Sequence, residues 1–189
     1  TFVFKKIHLG SESTNDIVVM GVTPEYQYVT DADVGDGRFF AWPEADRKRQ
    51  VIVLGHPIKE RLFGAWDPVG RHVFVGNRKF RVVGVMEPMG ELFGQSLDEY
   101  VIVPFKTVGK LYGSRLTTRL SVKAVSSEQI DDAIEQVERV MRARRGLKSE
   151  ERNNFEIITQ SQLVEMYENL TNVTWIVMIG VSAIALVVG

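Results

Sequence analysis

Residues 71–85 read RHVFVGNRKFRVVGV, and this stretch predicts a β-hairpin in the middle of the chain. Val73 and Val75 alternate along the first arm, and apolar residues dominate the end of the second arm. Gly76 and Asn77 stand between the arms, and both residue types tolerate the positive φ angles that a tight hairpin turn requires. The stretch therefore places β structure at the centre of the fold.

Other strands are predicted on both sides of the hairpin, where short apolar runs are bounded by turn residues. They cover residues 2–9, 17–22, 51–54, 100–103, 118–125 and 155–159. Short helices are predicted between them at residues 26–29, 58–63 and 107–111. This order of elements indicates an α+β fold with a β-rich middle between two βα-type ends.

The longest helix is predicted for residues 127–145. Ser126 and Gln129 fit a capping box at its start, and Gly146 is a suitable residue to end it. Apolar residues at helical spacing form its predicted buried stripe, namely Ile130, Ile134, Val137 and Met141. The basic run 142–152 is interpreted as the solvated end of this helix, with contact to lipid headgroups or to a partner as the alternative.

The arrangement of elements predicts that one small domain is inserted into another. The outer domain would combine residues 1–36 with 116–165, and the inner domain would cover residues 37–115. A chain of 189 residues is long enough for two such domains.

The C-terminal stretch, residues 175–189, reads WIVMIGVSAIALVVG and contains no charged residue. A membrane-spanning helix needs about 20 apolar residues, and this stretch is still apolar at its last residue. We therefore expect residues 166–189 to begin a transmembrane helix that continues an amphipathic segment from about Gln162. A buried core helix is the alternative. No Lys or Arg lies between Asn153 and Trp175, which favours an external flank.

Composition excludes several classes of function. The 23 basic and 24 acidic residues give a formal net charge of −1, which does not suggest a nucleic-acid-binding protein. The absence of cysteine excludes disulfides, Cys-ligated zinc and thiol catalysis.

Candidate catalytic or metal-ligating residues do not form a recognisable pattern. We expect His8, His56 and His72 to be surface or turn histidines without a partner at helical spacing. Residues 31–37 contain three aspartates but do not match the register of a calcium loop. Ser96 does not stand in a nucleophile elbow, since position 98 is Asp. No metal, cofactor or catalytic residue is therefore predicted.

A set of turn and packing residues resembles a known family. It comprises Gly21, Pro24, Tyr26, Gly37, Arg38, Phe39, Phe40, Gly55, Leu62, Phe63, Gly64, Asp67, Pro68, Gly70, Gly84 and Pro104. In this order and spacing, the set is similar to the periplasmic core domain of MacB/FtsX-type ABC transporter permeases. Glycines, Asp-Pro and a Phe pair at such positions serve tight turns and core packing, so they indicate a fold rather than a reaction.

The resemblance implies a porter-like βαβ-type subdomain with an inserted small β-rich α/β subdomain, leading into the second transmembrane helix. It also implies a non-catalytic domain on the outer side of the bacterial inner membrane, which relays ATP-driven conformational change to export or extraction of a substrate. The implied partners are an ABC ATPase domain or subunit, a second permease protomer, in some members a periplasmic adaptor, and membrane lipid at the C-terminal helix.

Two other readings remain open from the sequence. An extracytoplasmic ligand-sensing domain of a receptor or kinase would also stand between two membrane helices. A secreted hydrolase would need a catalytic triad or a metal site, and neither is recognisable. The residues that follow this chain would separate the first alternative from a permease, because a permease continues with further membrane helices.

Overall fold

The computed structural model describes residues 1–92, 95–96, 98–113 and 117–159. Beyond these it describes only twelve positions, namely 161–162, 164–165, 168, 171–172, 174–175 and 177–179. Packing divides the chain into two units, 1–123 and 124–189, each of which is described by itself. The predicted nested division into outer and inner domains stays a prediction.

Eleven strands are described in the first unit. They are β1 (Phe2–Lys5), β2 (Ile7–Leu9), β3 (Glu12–Ser13), β4 (Ile17–Val22), β5 (Val34–Gly37), β6 (Val51–Leu54), β7 (His72–Val75), β8 (Arg78–Met86), β9 (Glu91–Leu92), β10 (Gln95–Ser96) and β11 (Tyr100–Pro104). The predicted strand at residues 2–9 is thus two strands, which pair with different neighbours. The predicted hairpin is confirmed as β7 and β8, with Gly76 at a φ of 55° between them.

Nine of these strands form one mixed sheet, in the order β1-β4-β11-β6-β8-β7-β2-β3, with β5 also paired to β8. The pairs β4–β11 and β6–β8 are parallel, whereas the other pairs are antiparallel. Strands β9 and β10 form a separate two-stranded ribbon. The mixed sheet with its helices confirms the predicted α+β fold class.

Two short helices cover one face of the sheet. They are α3 (His56–Phe63) and α4 (Phe105–Tyr112), which follow β6 and β11 directly. Ile58 from α3 and Val108 from α4 join Ile52 and Val103 of the sheet in one buried cluster. Because side chains alternate along a strand, neighbours such as Val53 turn to the opposite face.

The opposite face is partly covered by α1 (Tyr26–Thr30), α2 (Trp42–Asp46) and the segment before α2. Phe39 and Phe40 stack at 4.5 Å between ring centroids and pack against Val53 and Ile102 of the sheet. Neither α2 nor β5 was expected from the sequence. Both elements are short, and α2 contains only five residues.

The second unit contains a 3-10 turn, Ser127–Gln129, followed by α5 (Ile130–Arg145). The predicted helix is confirmed, and Gly146 ends it in the left-handed region with a φ of 65°. The expected capping box is wrong, because the Ser126 side chain makes no capping hydrogen bond. The expected buried stripe is also wrong: no residue of α5 is buried. Apolar residues at helical spacing mark one face of a helix, but that face is buried only where another element packs against it.

Two predicted strands are absent. Residues 118–125 and 155–159 form no regular structure, although their apolar residues alternate. The side chains of Leu120 and Val122 are 66% and 61% exposed. Alternation indicates a strand only where a neighbour supplies the hydrogen bonds of the ladder, and neither segment has such a neighbour among the described residues.

Within the described part of the chain, no helix combines the length and the apolar character that crossing a bilayer requires. The predicted transmembrane segment, residues 166–189, is described at only eight positions, and residues 180–189 lie outside the described residues.

Candidate functional site

The residues that carried the sequence resemblance lie mostly near the ends of strands and helices and in the turns between them. Gly21 lies in β4, Pro24 and Tyr26 at the start of α1, Gly37 at the end of β5, Gly55 before α3, Leu62 and Phe63 within α3, Gly64 after α3, Gly84 within β8, and Pro104 before α4. Arg38, Phe39 and Phe40 follow β5, and Asp67, Pro68 and Gly70 form the turn before β7. Two groups of these residues meet at β8.

The first group forms the β5–α2 corner, residues 37–44, where the chain crosses β8. The Arg38 amide donates a hydrogen bond of 2.9 Å to the Val83 carbonyl. A Cβ atom at Gly84 would lie only 2.5 Å from the Arg38 carbonyl oxygen. Position 84 must therefore be glycine for the corner to approach the strand so closely.

A charged side-chain network holds the same corner together. Glu44 accepts hydrogen bonds of 2.7 and 2.9 Å from the two terminal nitrogens of Arg38, and one of 3.0 Å from the Ala41 amide. Arg81 of β8 lies 3.7 Å from the same carboxylate. The hydrogen bonds from Arg38 hold the pKa of Glu44 below its ordinary value, although partial burial acts in the opposite direction.

Sequence reasoning missed Glu44. The available signal is its position three residues after Ala41 with Pro43 between them, since Pro and Glu are typical of a first helical turn. The short length of α2 hid this signal, because five residues show no helical periodicity.

The second group forms the turn between α3 and β7. The Asp67 side chain accepts a hydrogen bond of 2.9 Å from the Val69 amide, as expected of a side chain that initiates a turn. Gly70 adopts a φ of 81°, and its amide donates a 2.8 Å hydrogen bond to the Val82 carbonyl. The turn and the corner therefore attach to neighbouring residues of β8.

A buried aspartate completes the packing near β11. Asp98 is 2% exposed, and its Oδ2 accepts hydrogen bonds of 2.8 and 3.3 Å from the amides of Met89 and Gly90. Burial raises the pKa of the neighbouring Tyr100 to about 12. The Asp98 carboxylate thus holds residues 89 and 90 of the loop that follows β8.

The histidines do not come together. One expectation from the sequence is wrong, since Glu60 follows His56 by one helical turn and lies 3.5 Å from its Nε2. His8 instead stacks on Phe74 at 5.0 Å between ring centroids. No group of three or more His, Cys, Asp or Glu residues that could hold a metal ion occurs among the residues that the structure describes.

The basic run at the end of α5 differs from its interpretation as a solvated helix end. Arg142 donates hydrogen bonds to the carbonyls of Lys148 and Glu151 at 2.6 and 3.0 Å and to the Asn153 side chain. Arg145 lies over the Phe155 ring at 5.9 Å. Part of the run therefore holds the following loop against α5.

The corner and the turn are held against the same strand. Backbone hydrogen bonds attach the corner to Val83 and the turn to Val82 of β8. The charged side chains described at this junction are paired: Arg38 with Glu44, and Asp67 with the amide of Val69.

Comparison with known proteins gives a consistent result. The family model of the MacB-like periplasmic core domain matches residues 2–140. The chain is 30% identical over 174 residues to a macrolide export ATP-binding/permease protein, MacB, of Rhodospirillum rubrum, and 23% identical over 174 residues to a pyoverdine export ATP-binding/permease protein, PvdT, of Pseudomonas aeruginosa. Each alignment covers 90% of this chain and 26% of the relative, so the chain spans about a quarter of their length.

Two solved structures share the fold. The extracellular domain of the noncanonic ABC-type transporter YknZ from Gram-positive bacteria superposes with a TM-score of 0.66 at 26% identity, covering 78% of this chain and 74% of that one. The periplasmic region of MacB from Actinobacillus actinomycetemcomitans gives a TM-score of 0.71 at 21% identity, covering 89% and 73% respectively. The second likeness concerns the fold alone.

Proposed function

This chain belongs to the family of MacB-like periplasmic core domains, and we propose that it is the extracytoplasmic domain of an ABC transporter permease subunit in a bacterial inner membrane. The observation that carries the proposal is the family match over residues 2–140, together with relatives named as export ATP-binding/permease proteins along 90% of the chain. The likeness to an extracellular domain of an ABC-type transporter at 26% identity supports the same assignment.

The domain itself catalyses no reaction in this proposal. It relays a conformational change, powered by ATP hydrolysis in a separate domain or subunit, to the export or extraction of a substrate. The paired charges at the β5–α2 corner and the backbone bonds to β8 support such a role, because a relay needs elements that move as one body. A second permease protomer and, in some systems, a periplasmic adaptor would complete the assembly.

The location can be tested by labelling. The chain contains no cysteine, and Asn77 is exposed in the β7–β8 turn with an ordinary negative φ. A full-length transporter with Asn77→Cys as its only cysteine should react with a membrane-impermeant maleimide in spheroplasts. Labelling only after lysis would place the domain in the cytoplasm and contradict the proposal. Asn77→Ser provides the unlabelled control.

The relay can be tested by separating ATP hydrolysis from export. Gly84→Ala pushes the corner away from β8, whereas Gly109→Ala in α4 meets no atom within 4 Å. In the full-length transporter, Gly84→Ala should lower export of a substrate that the parent transporter is first shown to export, while basal ATP hydrolysis is retained. Gly109→Ala should leave both unchanged. Normal export by the Gly84→Ala protein would argue against a rigid relay.

A further inference from the structure

A basic surface adjoins the β5–α2 corner and extends from the end of α2 over β7 and β8 to the end of α4. Two grooves of about 690 and 660 Å³ lie side by side there. Both are lined by Arg47, Arg49 and Gln50 of the segment after α2. Around these residues, the first groove adds His72, Lys79 and Arg81, and the second adds Lys48, Arg78 and Lys110.

The charge of this surface contrasts with that of the whole chain. Seven of the 23 basic residues line the two grooves, although the formal net charge of the protein is −1. Among the described residues that line the grooves, Glu44 is the single acidic one, and it already binds Arg38 and Arg81. The other six basic side chains form no ion pair with any carboxylate that the structure describes.

The backbone of the basic segment is fixed before any ligand binds. The Arg49 amide donates a 2.9 Å hydrogen bond to the Glu44 carbonyl, and the Arg49 carbonyl accepts one of 3.0 Å from the hydroxyl of the fully buried Thr107. The Gln50 carbonyl accepts a 2.9 Å hydrogen bond from the Arg81 amide. Such pinning lowers the entropy lost when the segment binds a partner.

Strand pairing brings the basic residues of β7 and β8 next to the segment after α2. Arg81 pairs with Val51 across the parallel β6–β8 ladder and with His72 across the hairpin. Lys79 stands two residues before Arg81, so both side chains leave the same face of β8 while Phe80 between them is fully buried. The face that opposes the first buried cluster is therefore cationic at this end of the sheet.

We propose that these two grooves form a binding site for a compact polyanion that carries several phosphate groups. Arginine guanidinium groups match phosphate oxygens bidentately, and lysines add point charges. Six basic residues around the two adjoining grooves have no ion-pair partner among the described residues. A ligand that neutralises them must carry several negative charges in a small volume. A phosphate monoester supplies up to two charges per group, whereas a carboxylate supplies one. Phosphorylated lipid headgroups and free oligophosphates share this chemistry.

Calorimetric titration of sodium tripolyphosphate into the full 189-residue chain in a non-ionic detergent tests the site. We expect saturable binding that weakens as salt is added, because screening reduces interactions between exposed charges. The double variant Arg47→Gln/Arg49→Gln should bind about tenfold more weakly or not at all. The matched control, Arg139→Gln/Arg144→Gln, removes the same charge from the exposed face of α5 and should bind as the parent does.

Two further probes decide the source and the chemistry of the ligand. Retention on phosphatidylcholine vesicles that contain phosphatidic acid, lost in the Arg47→Gln/Arg49→Gln variant, would support a lipid headgroup. Binding of tripolyphosphate alone would support a soluble oligophosphate. Tighter binding of a hexaglutamate peptide would overturn the phosphate assignment. The site itself would be refuted if neither phosphate probe binds, or if both double variants lose binding equally. Circular dichroism establishes that each variant is folded.

Discussion

The carboxylate of Glu44 accepts two hydrogen bonds, of 2.7 and 2.9 Å, from the guanidinium of Arg38 across the corner between β5 and α2. Only 17% of the Glu44 side chain is exposed, whereas 54% of Arg38 is. The pair is therefore partly exposed to solvent, which weakens the Coulomb attraction between the two charges. Its stabilising effect then depends mainly on the bidentate hydrogen-bond geometry.

Replacing Glu44 by Gln should lower the free energy of unfolding by about 1–2 kcal/mol at neutral pH, because the charge-assisted hydrogen bonds become weaker. Urea denaturation of the parent and of the variant measures the difference. Glu99→Gln removes an exposed partner of Arg61 and serves as the control. If Glu99→Gln lowers the free energy of unfolding as much as Glu44→Gln does, the ion pair at the corner contributes no more to stability than an exposed one.

The same pair predicts how stability depends on pH. The pKa of Glu44 is lower in the folded protein than its ordinary value of 4.5. Its contribution is therefore complete above pH 4.5 and is lost as the pH falls through the lower, folded-state pKa. The stability gap between the parent and Glu44→Gln should close below that pKa. A gap of equal size at pH 7 and at pH 2.5 would contradict the assignment.

Gly84→Ala should cost about 1–3 kcal/mol, because the new methyl group would overlap the Arg38 carbonyl, 2.5 Å away, and force the corner outward. Gly109→Ala should instead stabilise the protein by about 0.5–1 kcal/mol, since position 109 is helical and its surroundings are open. Thermal unfolding of the two variants should thus shift in opposite directions. Shifts of the same sign would mean that the close approach at β8 is not what position 84 requires.

Gly70→Val tests the turn before β7. A β-branched residue at a φ of 81° costs about 1–3 kcal/mol of backbone strain, although no atom lies within 4 Å to clash with it. Gly70→Asn should cost less, because Asn tolerates the left-handed region better. Equal losses for Val and Asn in urea denaturation would indicate that the side-chain volume, not the backbone angle, decides the result.

Thr107→Val removes the hydroxyl that holds the Arg49 carbonyl, while keeping the shape of the buried side chain. We expect a loss of about 1 kcal/mol in the free energy of unfolding. Hydrogen exchange of the amides at residues 47–50 should also become faster. Thr107→Ser keeps the hydroxyl and should preserve slow exchange. Unchanged exchange in the Val variant would mean that the basic segment is held by its other two bonds.

Local patterns in the sequence predicted the parts of the fold that depend on neighbours along the chain. The turn at Gly76 and Asn77 identified the β7–β8 hairpin, and Gly146 identified the end of α5. Residues 118–125 alternate in the way a strand does, yet they form no strand. The prediction failed because the pattern within a segment does not reveal whether a partner strand exists.

The basic surface could not be found from composition for a related reason. Residues 47–49 and 78–81 are separated in the sequence, and a balanced net charge conceals both clusters. They adjoin only because β6 pairs in parallel with β8, and a parallel pairing leaves no turn signature between its strands. The resemblance based on turn residues likewise identified the family but not the role of Glu44, because that role depends on how the fold places Glu44 beside Arg38.

The parallel pairing of β4 with β11 has a consequence for how the protein is made. Val19 stands beside Val101, 82 positions later, so the β4–β11 ladder cannot close until most of the first unit has been synthesised. At about 5–20 residues per second, β4 waits roughly 4–16 s for this partner. During that interval only its antiparallel contact with β1 is available on the nascent chain. The apolar residues of β4 are then exposed to solvent or to a chaperone, which makes this strand the point where assembly of the domain is most vulnerable to aggregation.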